Sequence, residues 1–275
     1  MKKSDFISIA LRSLLYIAAF FTVAVIIFII AHILINGLPH INRSLFARKY
    51  TSENVSLIPA LLNTLYITLL TLLIAVPSGI FAAIYLTEYT KATNKLVKII
   101  KITTETLTGI PSIIYGLFGL LFFGTALKWG YSVISGIFTL YIMILPIIIR
   151  TTEEALLAIP QTYREASFGL GAGKLRTIFK VVLPCAVPGI LSGVILSTGR
   201  IVGETAALIY TAGTVANIAS DLFSSGRTLS VHMYILSSEG LHTNQAYATA
   251  VILLVIVLLI NATSSLLAKK ITFAK

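Results

Sequence analysis

The sequence contains one cysteine, Cys185, among 275 residues. A single thiol excludes a disulfide within the chain and any zinc or iron–sulfur framework that needs several cysteines. Histidine is also sparse, and the four histidines lack the close spacing of metal ligands: His32, His40, His232 and His242. We therefore expect neither a redox centre nor a metal site in this chain.

Charged residues are also scarce. Asp, Glu, Lys and Arg together make up 11% of the residues, whereas hydrophobic residues make up 57%. The mean hydropathy of +0.94 lies far outside the range of soluble domains. These values predict an all-α membrane protein. The sequence also lacks a polar stretch long enough for a catalytic domain, a Ser-His-Asp set and paired carboxylates in a polar loop, so we do not expect an enzyme.

Six apolar stretches are long enough to cross a bilayer, which takes about 20 residues each. We place these spans near residues 13–36, 59–86, 103–127, 130–149, 186–211 and 246–268. The first stretch exceeds the roughly 7–15-residue core of a cleavable signal peptide, so we expect it to be a retained membrane helix.

The basic residues predict the orientation of these spans. The net charge of +11 would suggest nucleic-acid binding in a soluble protein, but in a membrane protein Lys and Arg gather on the cytoplasmic side. Placing both termini in the cytoplasm puts five basic residues outside and Arg200 inside a span. The other fifteen then lie on the cytoplasmic side: Lys2, Lys3, Arg12, Lys91, Lys95, Lys98, Lys101, Arg150, Arg164, Lys174, Arg176, Lys180, Lys269, Lys270 and Lys275.

A glycine cluster followed by lysine, GLGAGK at 169–174, suggests a phosphate-binding loop. A Walker A loop requires G-x-x-x-x-G-K-[ST], in which backbone amides bind the phosphates and the hydroxyl binds magnesium. Here Phe168 replaces the first glycine and Leu175 replaces the Ser or Thr. No apolar strand leads into the loop, so the chain does not bind ATP through this stretch.

The same stretch predicts a helical hairpin between the fourth and fifth spans. Pro160 suits the first turn of a helix, which we expect to reach Ala166. The glycines at 169–173 then allow a tight reversal, because glycine tolerates positive φ angles. A second helix follows over 174–182, and we expect Pro184 to end it.

The hairpin resembles the EAA loop of ABC importer permeases, whose pattern is E-A-A-x-x-x-G, nine residues, then I-x-L-P. EASFGLG at 165–171 and VVLP at 181–184 follow this pattern, with Ser167 for the second alanine and Val181 for the isoleucine. The resemblance implies a short helix that fits a cleft of a separate ATPase subunit. An amphipathic helix lying on the membrane surface is the alternative. The residues implied in coupling are Tyr163, Arg164, Glu165, Ala166, Gly169, Gly171, Leu183 and Pro184.

Arg200 lies near the middle of the fifth span, where a charge costs at least ~2.5–3.5 kcal/mol. Glu204 follows one helical turn later, so we expect the two side chains to pair. Gly189, Gly193 and Ser197 share their side of the helix, which therefore faces protein or a water-filled path rather than lipid. Either Arg200 and Glu204 line the route of an anion, or they form a structural ion pair.

Three further stretches are similar to phosphate importer permeases of the PstA type. RIVGETA at 200–206 resembles R-x-x-G-E-T-A, GIPSIIYGLFG at 109–119 resembles G-x-P-S-I-x-x-G-L-x-G, and VHMYILSSEG at 231–240 resembles V-x-I-Y-x-L-x-x-E-G. With the hairpin, the resemblance covers most of 60–265. It implies a type I (MetI-like) permease of the bacterial plasma membrane that carries phosphate.

The resemblance also implies partners: a second homologous permease, two copies of an ATPase subunit that binds ATP and Mg²⁺, and an external phosphate-binding protein. No cofactor is expected in this chain itself. The predicted parts are an N-terminal segment with the first span and outer loop (1–58), a permease core (59–268) that contains the cytoplasmic loop 150–185, and a tail (269–275). The alternatives are a permease for molybdate or sulfate, or a stand-alone secondary transporter, which would show internal repeats.

Overall fold

The computed structural model describes residues 3–90 and 94–273, so Lys2, Lys91 and Lys275 of the predicted cytoplasmic set lie outside the described residues. Within that part the chain is helical and contains no β-strand. The helices are α1 Lys3–Gly37, α2 Ile58–Ile84, α3 Lys95–Thr108, α4 Ser112–Gly119, α5 Val133–Leu157, α6 Gln161–Gly169, α7 Lys174–Thr177, α8 Leu183–Gly203, α9 Ala206–Thr211, α10 Leu229–Glu239 and α11 Thr243–Phe273.

Five helices, with their direct continuations, are long and apolar enough to span a membrane. They are Leu11–His40, Ile58–Tyr89, Val133–Leu157, Lys174–Gly203 and Thr243–Thr263. A sixth is present if α3 and Ser112–Ala126, which are bent by 103° at their break, are counted as one broken span. Each of the six predicted stretches is therefore helical, and the third is broken. We call the hairpin side the inner face and the opposite side the outer face, following the predicted orientation.

The break in the third span lies at Gly109–Pro111. Ile110 precedes a proline and is therefore disfavoured in the α-helical conformation, so α3 ends before it. Pro111 itself is extended, with φ −58° and ψ 139°. The hydroxyl of Tyr115 donates to the carbonyl of Leu107 at 2.7 Å, which satisfies one of the free carbonyls at the end of α3. Gly109 and Pro111 are the residues at which a kink in the span predicted near 103–127 was expected, and the bend lies there.

The described bundle is built around α5, which packs against α2, α3, α4, α8 and α9. Its central side chains Leu140, Ile144 and Ile148 are at most 1% exposed. Close approach to α8 depends on small residues, since a Cβ atom on Gly189 would lie 2.6 Å from that of Ala155. On Gly193 a Cβ atom would collide with Thr151. This pairing places Arg200 opposite the middle of α5, as the sequence predicts for a residue at mid-depth.

The hairpin continues directly into the fifth span. Lys174–Gly203 is one uninterrupted helix of 30 residues, so Pro184 does not end it and that prediction was wrong. Residues Ile178–Val182 form a wider π-helical turn just before the proline. Proline has no N–H to donate, and its ring needs room against the preceding turn. The wider π-helical turn provides that room and accommodates the missing hydrogen bond, so the helix continues through Pro184.

The first helix lies apart from the bundle. Its contacts are chiefly with α11, where Gly37 lies directly against the backbone of Tyr247. Its long apolar side chains are otherwise uncovered, for example Leu15 at 71% and Phe20 at 76% exposed. Such a helix needs lipid or another subunit around it.

Candidate functional site

The inner hairpin is formed by α6, a glycine turn and α7. Gly171 has a φ of +82°, the left-handed conformation that the turn requires and that glycine adopts without strain. Its amide donates to Phe168 O at 2.9 Å, and the next amide, of Ala172, donates to Ser167 O at 3.1 Å. The predicted reversal is therefore present at Gly171, whereas Gly169 is the last residue of α6. The helix reaches three residues beyond Ala166, where we expected its end.

Ser167, which takes the place of the second alanine in the EAA pattern, connects the two arms of the hairpin. Its hydroxyl lies 2.8 Å from that of Thr177 in α7, and both residues are buried. A buried hydroxyl pair of this kind stabilises the hairpin geometry. An alanine at position 167 would have no hydroxyl to bond with that of Thr177, so the serine found here strengthens the hairpin. Nothing in the sequence near Ser167 or Thr177 indicates this bond.

Arg164 fixes the base of the hairpin and does not face the cytoplasm. It is 9% exposed, and its Nη2 and Nε lie 2.7 and 3.1 Å from Oε1 of Glu88. The same guanidinium donates to the carbonyls of Leu156 and Ile159, each at 3.0 Å. This network joins the ends of α2, α5 and α6. Of the predicted coupling residues, Arg164 is therefore a support for the hairpin.

The opposite side of the hairpin is exposed and apolar. Tyr163 is 51% exposed, Leu170 89% and Leu175 63%. Glu165, Ala166 and Gly169 are exposed beside them, whereas Leu183 and Pro184 lie half-buried in α8. A charged or polar side chain would suit water better at such a tip, so the exposed apolar surface is typical of a binding surface for another protein.

Arg200 lies half-buried near the outer third of α8. Within residues 3–90 and 94–273 it forms no salt bridge. The expected pair with Glu204 is absent because α8 ends at Gly203 and Glu204 is extended, with ψ 127°. The carboxylate of Glu204 instead accepts a hydrogen bond from the amide of Ala207 at 3.1 Å, at the start of α9. A carboxylate at this position stabilises the helix start, so Glu204 shapes the break.

The side of α8 next to Arg200 is uncovered. Leu196 is 60% exposed, Ser192 and Gly203 are exposed, and nothing lies within 4 Å of a Cβ atom placed on Gly199. These residues recur at intervals of three and four and thus form one stripe along the helix. Ser197, on the α5 side, is fully buried. Arg200 therefore borders an open stripe of small residues, whereas the sequence predicted small residues only on the packed side.

The described residues contain no cluster of three or more His, Cys, Asp or Glu side chains suited to a metal ion.

Residues 75–273 match the family model described as "Binding-protein-dependent transport system inner membrane component". The chain is 33% identical over 233 residues to the probable ABC transporter permease YqgI of Bacillus subtilis, covering 79% of each chain. It is 33% identical over 254 residues to the phosphate transport system permease PstA of Pasteurella multocida, covering 90% of each.

Among solved structures, the chain resembles the MetNI methionine ABC transporter in its inward-facing form. The TM-score is 0.61 at 22% identity, covering 78% of this chain and 93% of the other. At this identity the likeness establishes the MetI-like fold alone. Together with the family match and the relatives of similar length, these findings identify the chain as a member of the binding-protein-dependent transport system inner membrane components, the permeases of ABC importers, of the PstA type.

Proposed function

We propose that this chain is the membrane subunit of an ATP-driven importer that carries inorganic phosphate into the bacterial cell. The observation that carries the proposal is Arg200, a half-buried cation near mid-depth with no salt-bridge partner among the described residues. An unpaired guanidinium beside an open stripe offers positive potential to an anion. Kinship with permeases named for phosphate transport supports the choice of anion.

The membrane chain itself performs no catalysis. As a permease of an ABC importer it works with separate ATPase subunits, and we propose that these bind ATP and Mg²⁺ and hydrolyse the nucleotide. We propose two copies of that subunit and one second, homologous permease. The uncovered stripe of α8 would then face the second permease, and the transport path would lie between the two chains.

The hairpin of α6 and α7 is proposed to connect this chain to the ATPase. The exposed apolar side chains Tyr163, Leu170 and Leu175 provide the surface that enters the ATPase cleft. Arg164 and Glu88 fix the hairpin to the bundle, so displacement of the tip moves the ends of α2 and α5 as well. Binding of ATP would thus shift the spans between outward and inward opening, a rigid-body change biased by a ligand on another chain.

The outer face is proposed to receive an external phosphate-binding protein. The loop between α9 and α10 presents apolar side chains to solvent, with Val215 at 47%, Ile218 at 41% and Phe223 at 60% exposed. The backbone of this loop is nevertheless anchored, because the side chain of Asn63 in α2 bonds to Asn217, Ala219 and Arg227. A rigid loop with exposed apolar side chains suits protein docking.

Uptake of ³²P-phosphate into proteoliposomes tests the proposal. The vesicles contain this chain, the second permease, the ATPase and the receptor. We expect Arg200→Gln to assemble normally and to lower the initial rate about tenfold or more, because it removes the charge and keeps most of the volume. Arg43→Gln, an exposed outer arginine, serves as the control and should transport like the wild type.

Three outcomes count against the proposal. Normal uptake by an assembled Arg200→Gln complex removes that residue from the route. Uptake of molybdate or sulfate but not phosphate assigns the transporter to another oxyanion. Transport by this chain alone, with neither ATP nor partners, makes it a stand-alone secondary transporter.

A further inference from the structure

Arg227 is buried on the outer face, directly before α10. It is 4% exposed, and its backbone is held from both sides. Its amide donates to Val215 O at 2.9 Å, and its carbonyl accepts from the Asn63 amide at 3.2 Å. Its side chain is not satisfied in this way, since Nε and Nη2 are buried without a hydrogen-bond partner. Backbone anchoring therefore holds an unpartnered guanidinium below the outer surface.

Arg227 lacks an anionic partner among the described residues. No salt bridge to Arg227 forms within the described residues, and a buried charge is costly unless it is paired and hydrogen-bonded. The ring of Tyr50, 4.6 Å from the guanidinium carbon, contributes a cation–π contact but accepts no N–H bond along the guanidinium edge. Nε and Nη2 together form an edge that donates two parallel bonds to one oxyanion.

His232 supplies further donor capacity in the first turns of α10. It is fully buried, neither ring nitrogen forms a hydrogen bond of normal geometry, and a weaker contact joins the ring to the backbone of Val55. Burial and the charge of Arg227 lower the pKa of His232 to about 3, so the ring is neutral and carries one N–H donor. The ring of Tyr50 lies edge-on at 6.1 Å. Tyr50 thus covers both unpartnered side chains.

We propose that Arg227, His232 and the N-terminal turn of α10 form a binding site for a small oxyanion on the outer face, with Tyr50 as its cover. The start of an 11-residue helix adds a positive dipole end, while the amide of its first residue, Leu229, already donates to the hydroxyl of Thr64 at 2.8 Å. Tyr50 is half-buried and lies in an irregular segment that includes Val55, a non-glycine residue with φ +47°. This site rests on the proposed transport of phosphate, which makes free phosphate the ligand.

The site is connected to the break between α8 and α9. Ser230, in the first turn of α10, donates its hydroxyl to the carbonyl of Glu204 at 2.6 Å. Glu204 directly follows Gly203, the last residue of α8, and lies four residues after Arg200. An anion released by the receptor would therefore be held at Arg227 before it reaches Arg200, and its arrival would act directly on the backbone of the break.

Equilibrium dialysis with ³²P-phosphate tests the site in the assembled transporter, purified in a maltoside detergent without phospholipid and without receptor. The measurements use an Arg200→Gln background, so that binding at the mid-membrane arginine does not contribute. We expect saturable phosphate binding that Arg227→Gln weakens about tenfold or more. Arg48→Gln removes an exposed outer arginine and should leave the binding unchanged.

A second pair of variants covers the case in which Arg227→Gln does not assemble. Arg227→Lys keeps the charge but loses the two-donor edge, and His232→Gln removes the imidazole; both should weaken binding. Wild-type affinity in both variants, or in Arg227→Gln, overturns the site. Absence of saturable binding in the Arg200→Gln background also overturns it. Receptor-dependent phosphate uptake by the wild type is measured in parallel, so the site can fail while the proposed function stands.

Discussion

The two buried arginines at opposite faces of the bundle have similar exposure and opposite surroundings. Arg164, at the inner face, is 9% exposed and donates to Glu88, Leu156 and Ile159. Arg227, at the outer face, is 4% exposed, and two of its three side-chain nitrogens have no partner. Burial alone therefore does not distinguish a structural arginine from a binding one. The two kinds of arginine differ in the acceptors that surround the guanidinium.

The difference corresponds to what each face is proposed to do. The inner network closes on itself, because a carboxylate and two carbonyls satisfy the guanidinium, and a closed network holds α2, α5 and α6 in one arrangement. The outer cluster of Arg227 and His232 is open, because its donors have no acceptor of normal geometry among the described residues. An open cluster of donors suits a ligand that comes and goes. Four predictions test this contrast, from the largest expected effect to the smallest.

Arg164→Ala should produce the largest loss of stability. It leaves the Glu88 carboxylate, whose side chain is 10% exposed, without its partner in a buried position. Breaking such a pair from one side costs about 3–5 kcal/mol, measured by thermal unfolding of the purified chain in detergent. Arg176→Ala, in the exposed part of α7, is the matched control. Equal unfolding temperatures for the two variants would show that the inner network is not what fixes the hairpin.

Asn63→Ala should lower the stability of the outer face, by a smaller amount. Asn63 is 1% exposed, and its loss leaves the amide of Ala219 without an acceptor, at about 1–3 kcal/mol. Hydrogen exchange should accelerate locally, over 217–229, with little change in the inner hairpin. Asn42→Ala, at an outer position whose side chain makes no capping bond, is the control. Unchanged exchange over 217–229 contradicts the anchoring role.

Acid should weaken the outer face through His232. Its pKa of about 3 in the folded chain lies below the ordinary value of 6.5, so between these values the unfolded chain binds a proton that the folded chain does not. Stability is unaffected above pH 6.5 and falls as the pH drops below it, by about 2 kcal/mol at pH 5. Thermal unfolding in phosphate-free buffer should therefore show a weaker pH dependence for His232→Gln. Parallel pH profiles would refute the assignment.

Gly171→Ala should have the smallest effect on stability. The space around Gly171 is open, so the cost comes only from the φ of +82° and amounts to about 1–2 kcal/mol. Gly173→Ala is the control, because its surroundings are equally open and its φ is −73°. A bulky residue at 171 should also increase the ATP hydrolysed per phosphate imported. Identical stability and coupling in both variants would argue against the turn as part of the coupling element.

Signals confined to neighbouring residues were readable from the sequence. Hydropathy located the spans because a bilayer requires about 20 apolar residues in a row. The glycine run predicted the hairpin because Gly171 adopts a backbone conformation that other residues avoid. Arg200 was expected near the middle of a span over 186–211, but it lies in the last turn of α8, which ends at Gly203, and only the packing of α8 on α5 places it opposite the middle of α5.

Features that depend on distant residues were not readable. Glu88 and Arg164 are 76 positions apart, so nothing in either segment indicates their pairing. Arg227 looked like an ordinary outer-loop cation, and its burial arises because the loop folds back over α2. The pairing of Arg200 with Glu204 failed for a local reason: the helical spacing holds only while the helix continues, and α8 ends one residue before Glu204.

The unbroken helix Lys174–Gly203 has a mechanical consequence. At 1.5 Å per residue, Arg200 lies about 40 Å along the axis from Lys174 at the hairpin. A tilt of about 5° about one end would move the other by roughly 3 Å, close to the width of a water molecule. The same helix would thus convert a small rotation beside the ATPase into the opening or closing of an aperture next to the guanidinium, with the π-helical turn, Pro184 and Pro188 as the places where it can bend.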